Sequence, residues 1–175
     1  MNPRHIMLCL ALTVTAAHLV GCRPPSGGSG TSAASRTVRV LAYINVSSGC
    51  QQATVDFLQS LPAKYPGVQV ELVDFGDGGA GAARWEQSGL KCMALEINGH
   101  SIVKFPADGA ARVMAFRAPA GLYWTHEDLT AAVQAALQGE LKPATEEEFL
   151  SGGGTAPSDA DLRQYQSQHK PPARQ

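Results

Sequence analysis

The chain has 175 residues, which is room for one domain of ordinary size with tails, and hydrophobic residues make up 44% of it, enough for a packed core. Its formal net charge is only -1, so it offers no basic surface of the kind that binds nucleic acid, and we expect no nucleic-acid partner. The 18 glycines and 11 prolines crowd towards the two ends, which predicts that the ends are not globular.

The first predicted element is a leader. An apolar stretch, residues 6–17, follows a short segment with one firm positive charge, Arg4. This stretch is shorter than the ~20 residues needed to span a bilayer, which is typical of a removed signal peptide and not of a membrane anchor. It is followed by Leu-Val-Gly-Cys at residues 19–22, a motif that resembles the lipobox of bacterial lipoproteins. We therefore predict a lipoprotein signal peptide over residues 1–21, and Cys9 would be removed with it.

The lipobox resemblance implies that Cys22 is lipidated and that the membrane is a partner through this lipid. In that family a diacylglycerol is attached to the cysteine sulfur, the chain is cleaved after Gly21, and a fatty acid such as palmitate acylates the new amine. Several acyl chains anchor firmly, since each buried CH₂ contributes ~0.8 kcal/mol. Because Arg23 replaces the aspartate that retains some lipoproteins in the inner membrane, we expect a bacterial cell-envelope protein on the periplasmic side of the outer membrane. The alternative is an ordinary secretory signal with a chance cysteine.

Two further segments are predicted to lie outside the folded domain. Residues 22–36 are rich in glycine, serine and proline and hold almost no large apolar side chain, so they cannot bury enough surface to offset their conformational entropy. We interpret them as a flexible tether. Residues 141–175 are also polar, and we predict a mostly disordered tail with at most one helical turn at 146–150. The folded domain is then residues 37–140.

The domain begins with a strand, a helix and a second strand. Residues 38–46 form an apolar run that predicts a central strand covered on both sides. Residues 51–61 place their apolar side chains on one helical stripe, and Pro62 is expected to end or kink that helix. Residues 68–75 are rich in valine and predict a second strand. We expect it to run parallel to the first because a helix connects them.

The rest of the domain contains a short helix, a hairpin and a last helix. The glycine-rich segment 76–81 lacks the Gly-Lys-Ser/Thr ending of a phosphate-binding loop, so we interpret it as a surface loop before a short helix at 82–87. Asn98-Gly99 supplies the two positive φ angles of a type I′ turn and predicts a hairpin over residues 93–105. The remaining predicted elements are a turn at 106–109, a strand at 113–116 and a helix with Thr125 as N-cap, Asp128 completing a capping box, and Gly139 as the terminating residue.

One cysteine stands at the junction of the first strand and the first helix. Backbone N–H groups and the helix dipole favour a thiolate at such a position, which makes Cys50 a candidate reactive group. Once the leader is removed, Cys50 and Cys92 are the two cysteines of the folded part. An exported domain occupies a compartment in which disulfides can form.

The order strand, helix, strand, helix, hairpin, helix resembles the thioredoxin-like superfamily over residues 38–138. Members of that family carry their reactive thiol between the first strand and the first helix, where Cys50 stands. Residues 90–99 also resemble the family's stretch before its hairpin. The resemblance implies an α/β fold, a three-layer sandwich with a central mixed sheet.

The chain departs from the family pattern at two places. The Cys-x-x-Cys motif lacks its second cysteine, and Met93 stands where the family has a cis-proline. In this fold the residue before that proline lies against the reactive thiol, and here it is Cys92. The resemblance therefore implies that Cys50 and Cys92 are spatial neighbours that can form a disulfide.

Three functional hypotheses follow, and the first two require no cofactor. The first is thiol–disulfide redox chemistry with a protein thiol partner, with Cys50 and Cys92 as the catalytic pair. The second is a non-catalytic binding or scaffold module in which the same disulfide is structural. The third is a soft-metal site for Cu(I), in which Met93 and His100 would join the two cysteines as ligands.

Overall fold

The computed structural model describes residues 36–90, 92–155 and 158–168. The predicted signal peptide, the lipidation site Cys22 and the tether up to residue 35 lie outside these residues. The described strands and helices are, in chain order, β1 (Val38–Ile44), α1 (Gln52–Lys64), β2 (Val68–Asp74), α2 (Ala80–Ser88), β3 (Ala94–Ile97), β4 (Ile102–Ala107), β5 (Ala110–Ala115), α3 (His126–Gln138), β6 (Lys142–Pro143), α4 (Glu146–Ser151) and α5 (Asp159–Gln168).

The first sheet has the strand order β2-β1-β3. β1 and β2 are parallel, from Val38 opposite Val68 to Ile44 opposite Asp74, which confirms the predicted parallel pair joined by α1. β3 is antiparallel to β1 and places Ile97 opposite Val40. The mixed α/β class is therefore confirmed, with β1 as the central strand of this sheet.

The second sheet has the order β5-β4-β6 and starts from the predicted hairpin turn. Asn98 and Gly99 both have positive φ, 53° and 85°, as a type I′ turn requires. After a single bridge between Ile97 and His100 the two strands separate, so β3 and β4 belong to different sheets. β3 is bordered instead by the chain after β5, where the Leu95 N–H donates to the Phe116 carbonyl at 2.8 Å.

The core lies between the first sheet and two helices. Alternate residues of β1 point inward, and Val38, Val40 and Ile44 are at most 1% exposed. The large Trp124 is buried before α3, and its indole N–H donates to the Ala118 carbonyl at 2.8 Å, which satisfies its one polar group. The helical side chains of this core are Val55, Leu58 and Leu61 from α1 and Leu129, Ala132, Val133 and Ala136 from α3.

The helix ends follow local sequence signals with one exception. α3 has the predicted capping box between Thr125 and Asp128, and it ends at Gly139 with a positive φ of 81°. α1, however, does not end at Pro62 but runs on to Lys64. Proline removes only its own N–H, and the Tyr65 N–H still donates to the Leu61 carbonyl at 2.8 Å beyond it.

The prediction of a mostly disordered tail is wrong for the described part of residues 141–168. β6 adds to β4 with Pro143 opposite Val103. α4 follows with a capping box between Thr145 and Glu148, and Phe149 is buried against Ile102 and Ala115. Phe149, the pairing of β6 with β4, and the ion pairs of Glu146 with Arg117 and of Glu148 with Lys104 together hold this polar segment on the sheet. α5 forms the last helix.

Candidate thiol site

Cys50 lies in a tight turn just before α1. The Gln51 N–H donates to the Ser48 carbonyl at 2.9 Å, and the buried Gln51 side chain accepts from the Asn45 N–H at 2.8 Å. These bonds join the end of β1 to the start of α1 and hold Cys50 between them. α1 has no acidic residue in its first turn and no side-chain cap, so its positive dipole end beside Cys50 is not neutralised locally.

A hydroxyl group contacts the Cys50 sulfur. Ser48 Oγ lies 2.9 Å from Cys50 Sγ, and either group can be the donor. If Cys50 is a thiolate, the hydroxyl must donate, because a thiolate carries no proton. Cys50 is half-buried, so its sulfur remains accessible to a reactant. Ser48 was not predicted as a site residue, although its two-residue spacing from Cys50 in a turn was visible in the sequence.

Cys92 lies just before β3 and is also half-buried. Its carbonyl accepts from the Trp85 indole N–H at 3.2 Å, and the next residue, Met93, is fully buried. Burial is the main cause that raises the pKa of the Cys92 thiol, and the charge of a Cys50 thiolate raises it further, while a backbone hydrogen bond from Met93 opposes both. The Cys92 thiol therefore ionises less readily than the thiol of a free cysteine.

The two cysteines share one face of the domain. A charge on Cys50 acts on the pKa of Cys92, and charges on both cysteines, after burial, raise the pKa of Tyr165. That the strand-to-helix junction and the residue before β3 bring the two sulfurs within bonding distance stays a prediction. Both cysteines are free thiols in this structure, so the predicted disulfide between them stays a prediction.

The helix α5 lies on this thiol face, and the sequence reasoning missed it. Tyr165 Oη is 3.4 Å from the Cys50 carbonyl and 3.3 Å from the Ala120 carbonyl. Tyr123 Oη donates to Asp161 Oδ2 at 2.7 Å and fixes the start of the helix. A signal for α5 did exist: Ser158 and Asp161 exchange the reciprocal bonds of a capping box, a pattern recognisable from their three-residue spacing.

An open groove of about 550 Å³ runs beside Cys92. Leu90 and Leu162 contribute apolar surface to it, and Arg117 contributes charge. The Arg117 guanidinium donates to Glu146 Oε2 at 2.6 Å, so α4 positions this charge. The groove therefore has a mixed apolar and polar lining.

α2 supports Cys92 through Trp85, whose indole N–H donates to the Cys92 carbonyl. The helix starts at Ala80, two residues before the predicted start, and Gly81 lies so close to β2 that a Cβ there would overlap the Asp74 carbonyl oxygen. This close approach places Trp85 in a stack with Phe75, with ring centroids 4.9 Å apart. Part of the predicted glycine loop is thus a helix that needs glycine for contact with the sheet.

The residues of the copper hypothesis are not gathered into a ligand set. Met93 has no exposed surface, and His100 is exposed at the turn between β3 and β4. Within residues 36–90, 92–155 and 158–168, no group of three or more His, Cys, Asp or Glu side chains could hold a metal ion. The other notable histidine, His126, stacks on Phe57 with ring centroids 4.2 Å apart, and burial lowers its pKa.

The comparisons leave the function to be argued from the geometry. Searches against protein-family models, characterised proteins and solved structures gave no match to this chain. Among the helices that the structure describes, none has the length and apolar character needed to cross a membrane.

Proposed function

We propose that the chain is a membrane-anchored, exported lipoprotein whose thioredoxin-like domain exchanges thiols and disulfides with a partner protein through Cys50 and Cys92. The observation that carries this proposal is the presence of two half-buried free thiols on one face, at the N-terminal end of α1 and beside the start of β3. Two thiols that approach to bonding distance can interconvert with a disulfide, which is the chemical requirement for exchange.

The strand order supports the thioredoxin-like assignment. A parallel pair connected by a helix, with an antiparallel third strand on the other side of β1, is the arrangement expected for the central sheet of that fold. α1 and α3 contribute to the core with the inward side chains of β1. α2 contacts the opposite face, where the Arg84 guanidinium lies 5.7 Å from the centre of the Tyr43 ring. This distribution of helices is consistent with three layers.

The exchange reaction assigns different roles to the two cysteines. The Cys50 thiolate attacks one sulfur of a partner disulfide, a bond forms between Cys50 and that sulfur, and the other partner sulfur leaves as a thiolate that takes up a proton. Cys92 then gives up its proton and attacks Cys50 Sγ, which forms the Cys50–Cys92 disulfide and releases the second partner thiol. The domain loses two electrons and the partner gains them. In reverse, the oxidised domain accepts two electrons from a partner dithiol.

The different environments of the thiols fit these roles. Cys50 has the Ser48 hydroxyl 2.9 Å from its sulfur, where it can donate to a thiolate, and the uncapped end of α1 beside it. Cys92 has a raised pKa and therefore keeps its proton while Cys50 reacts first. The assignment of Cys50 as the attacking thiol and Cys92 as the resolving thiol follows from this difference.

The leader motif supports an envelope location for this chemistry. A diacylglycerol on Cys22 would hold the domain at a bacterial membrane, with residues 23–36 as the spacer. Such a compartment permits disulfides, so both the oxidised and the reduced forms of the pair could persist there. The expected partner is another exported protein with a disulfide or dithiol.

A second candidate function is a binding module in which the Cys50–Cys92 bond is structural. The position of α5 favours it, because Tyr165 lies against Cys50 and Leu162 lines the groove beside Cys92. A thiol pair covered in this way would be protected from a partner protein.

A redox titration of the full chain tests both candidates. The protein is equilibrated with graded mixtures of reduced and oxidised glutathione and then alkylated, and mass spectrometry reads the peptides that contain Cys50 and Cys92. We expect the bond to form and break within the range of redox-active protein disulfides, about -120 to -270 mV. A bond that survives throughout supports the structural module instead. Two thiols that never pair contradict both.

Variants of the same chain identify the roles of the residues. Cys92→Ser is expected to trap a mixed disulfide between glutathione and Cys50, whereas Cys50→Ser should leave Cys92 largely unmodified.

Ser48→Ala should slow the reaction of Cys50. Ser47→Ala is the matched control, because the Ser47 hydroxyl donates to Asn45 Oδ1 and not to the cysteine. Equal rates for the two serine variants would remove Ser48 from the site.

A further inference from the structure

The helix α5 docks on the thiol face with little apolar burial. Asp161, Leu162 and Tyr165 are partly buried, and no described side chain of this helix is fully buried. The hydrogen bond from Tyr123 Oη to Asp161 Oδ2 at 2.7 Å holds its first turn, and Tyr165 Oη lies 3.4 and 3.3 Å from the Cys50 and Ala120 carbonyls. Because burial of apolar surface is the main source of docking free energy, α5 should be held less firmly than the core helices α1 and α3.

The length of α5 leads to the same conclusion. It has ten residues and a polar sequence, and an isolated helix shorter than ~12–15 residues is marginal in water. Its helical form therefore depends on docking against the domain. A segment of this kind opens locally without unfolding the core, since the main core cluster contains none of its residues.

The position of α5 matters for a large reactant. Disulfide exchange requires a partner sulfur to approach Cys50 or Cys92 closely, and a protein partner must place its backbone beside that sulfur. Tyr165 lies beside the Cys50 and Ala120 carbonyls, and Leu162 lines the groove beside Cys92, so α5 stands on the side from which a polypeptide would approach these residues. A small reagent needs less room, and both cysteines are only partly buried.

We propose that α5 is a displaceable cover of the thiol face, which admits small thiols and disulfides but admits a partner polypeptide only after α5 has moved away. This inference rests on the proposed function, because it assigns a regulator to the same pair of thiols. It also defines the partner: a polypeptide that binds the groove beside Cys92 in place of Leu162 and Tyr165. A partner with such a segment is selected over disulfide proteins that merely collide with the domain.

The test compares alkylation of the full chain by a small reagent, iodoacetamide, and by a maleimide that carries a bulky polymer. The variant is Leu162→Ala with Tyr165→Ala, and the matched control is Arg163→Ala, which changes an exposed residue of the same helix. Mass spectrometry reads Cys50 and Cys92 separately. We expect the bulky reagent to react about tenfold faster with the variant than with the parent. This factor corresponds to a parent in which α5 covers the thiols about nine-tenths of the time, so that about one-tenth of the molecules are open to the reagent. The rate of alkylation by iodoacetamide should rise less.

Unchanged rates with the bulky reagent, in a variant with the parent's thermal midpoint, would overturn the proposal. If the variant loses its thermal transition, hydrogen exchange on the parent decides: amides of α5 that exchange faster than those of α1 and α3 support the cover, and equally slow amides contradict it. Alkylation needs no redox partner. A failure of the redox titration would therefore reject the exchange function and leave the result on α5 standing.

Discussion

At the scale of single residues, the two thiols should differ in their response to pH. Burial and the charge of Cys50 raise the pKa of Cys92, so Cys92 should become reactive only at a higher pH than an ordinary cysteine. In Cys50→Ser the second cause is absent, and the pH profile of Cys92 should move to lower pH. The rate of iodoacetamide alkylation at Cys92, measured across pH in both proteins, checks this. Identical profiles would mean that the thiols do not interact.

The partly buried His126 should couple stability to acid. Burial lowers its pKa, with Glu127 opposing, so the folded state favours the neutral ring stacked on Phe57. The stabilisation is present above the unfolded pKa and is lost as the pH falls through the folded value. We expect His126→Phe to keep the stack and to lose less stability between pH 7 and pH 5 than the parent. Urea unfolding at both pH values measures the difference, and equal losses would contradict the assignment.

At the scale of the helices, two capping boxes of the same kind should contribute unequally. Thr125 caps α3, which belongs to the core, so Thr125→Ala should lower the free energy of unfolding by about 1 kcal/mol. Thr145 caps α4, a short peripheral helix that can fray while the core stays folded. Thr145→Ala should therefore change global unfolding less. Denaturant titrations of the two variants measure the contrast, and equal effects would place α4 within the cooperative unit.

The elements that could be predicted from sequence are those set by local chemistry. The Asn98-Gly99 turn, the cap of α3 and the end of that helix at Gly139 each depend on residues within a few positions of one another. The separation of β3 from β4 depends on Phe116, which comes from another part of the chain. The docking of α4 depends likewise on a sheet that Phe149 does not itself form.

At the scale of the whole molecule, the stability gained on oxidation should distinguish a redox pair from a structural bond. A bond that closes the segment between positions 50 and 92 without strain would stabilise the domain by roughly 4 kcal/mol. For a pair that exchanges readily we expect a smaller gain, because an easily reduced disulfide stabilises the folded state less. Denaturant unfolding of the oxidised and fully reduced chains measures this. A gain near the full value would favour the structural module.

The candidate site illustrates the limit of sequence reasoning at this scale. A family resemblance in the order of strands led to the prediction that Cys50 and Cys92 are neighbours. The Ser158–Asp161 spacing indicated where α5 begins, but nothing indicated its docking, because its polar composition resembles that of a disordered tail and its docking depends on single side chains such as Tyr165. Long-range contacts made by isolated residues in polar segments are invisible to composition and periodicity.

The hydrogen bond between Trp85 and Cys92 has an optical consequence. The chain has two tryptophans, and Trp124 is enclosed in the core, where its surroundings do not depend on the thiols. Trp85 is partly exposed and is held by the carbonyl of Cys92 itself. Thiolates and disulfides quench indole fluorescence at short range, so the fluorescence intensity of Trp85 should change when Cys92 is oxidised. Oxidation of Cys92 can thus be followed in real time without any added dye.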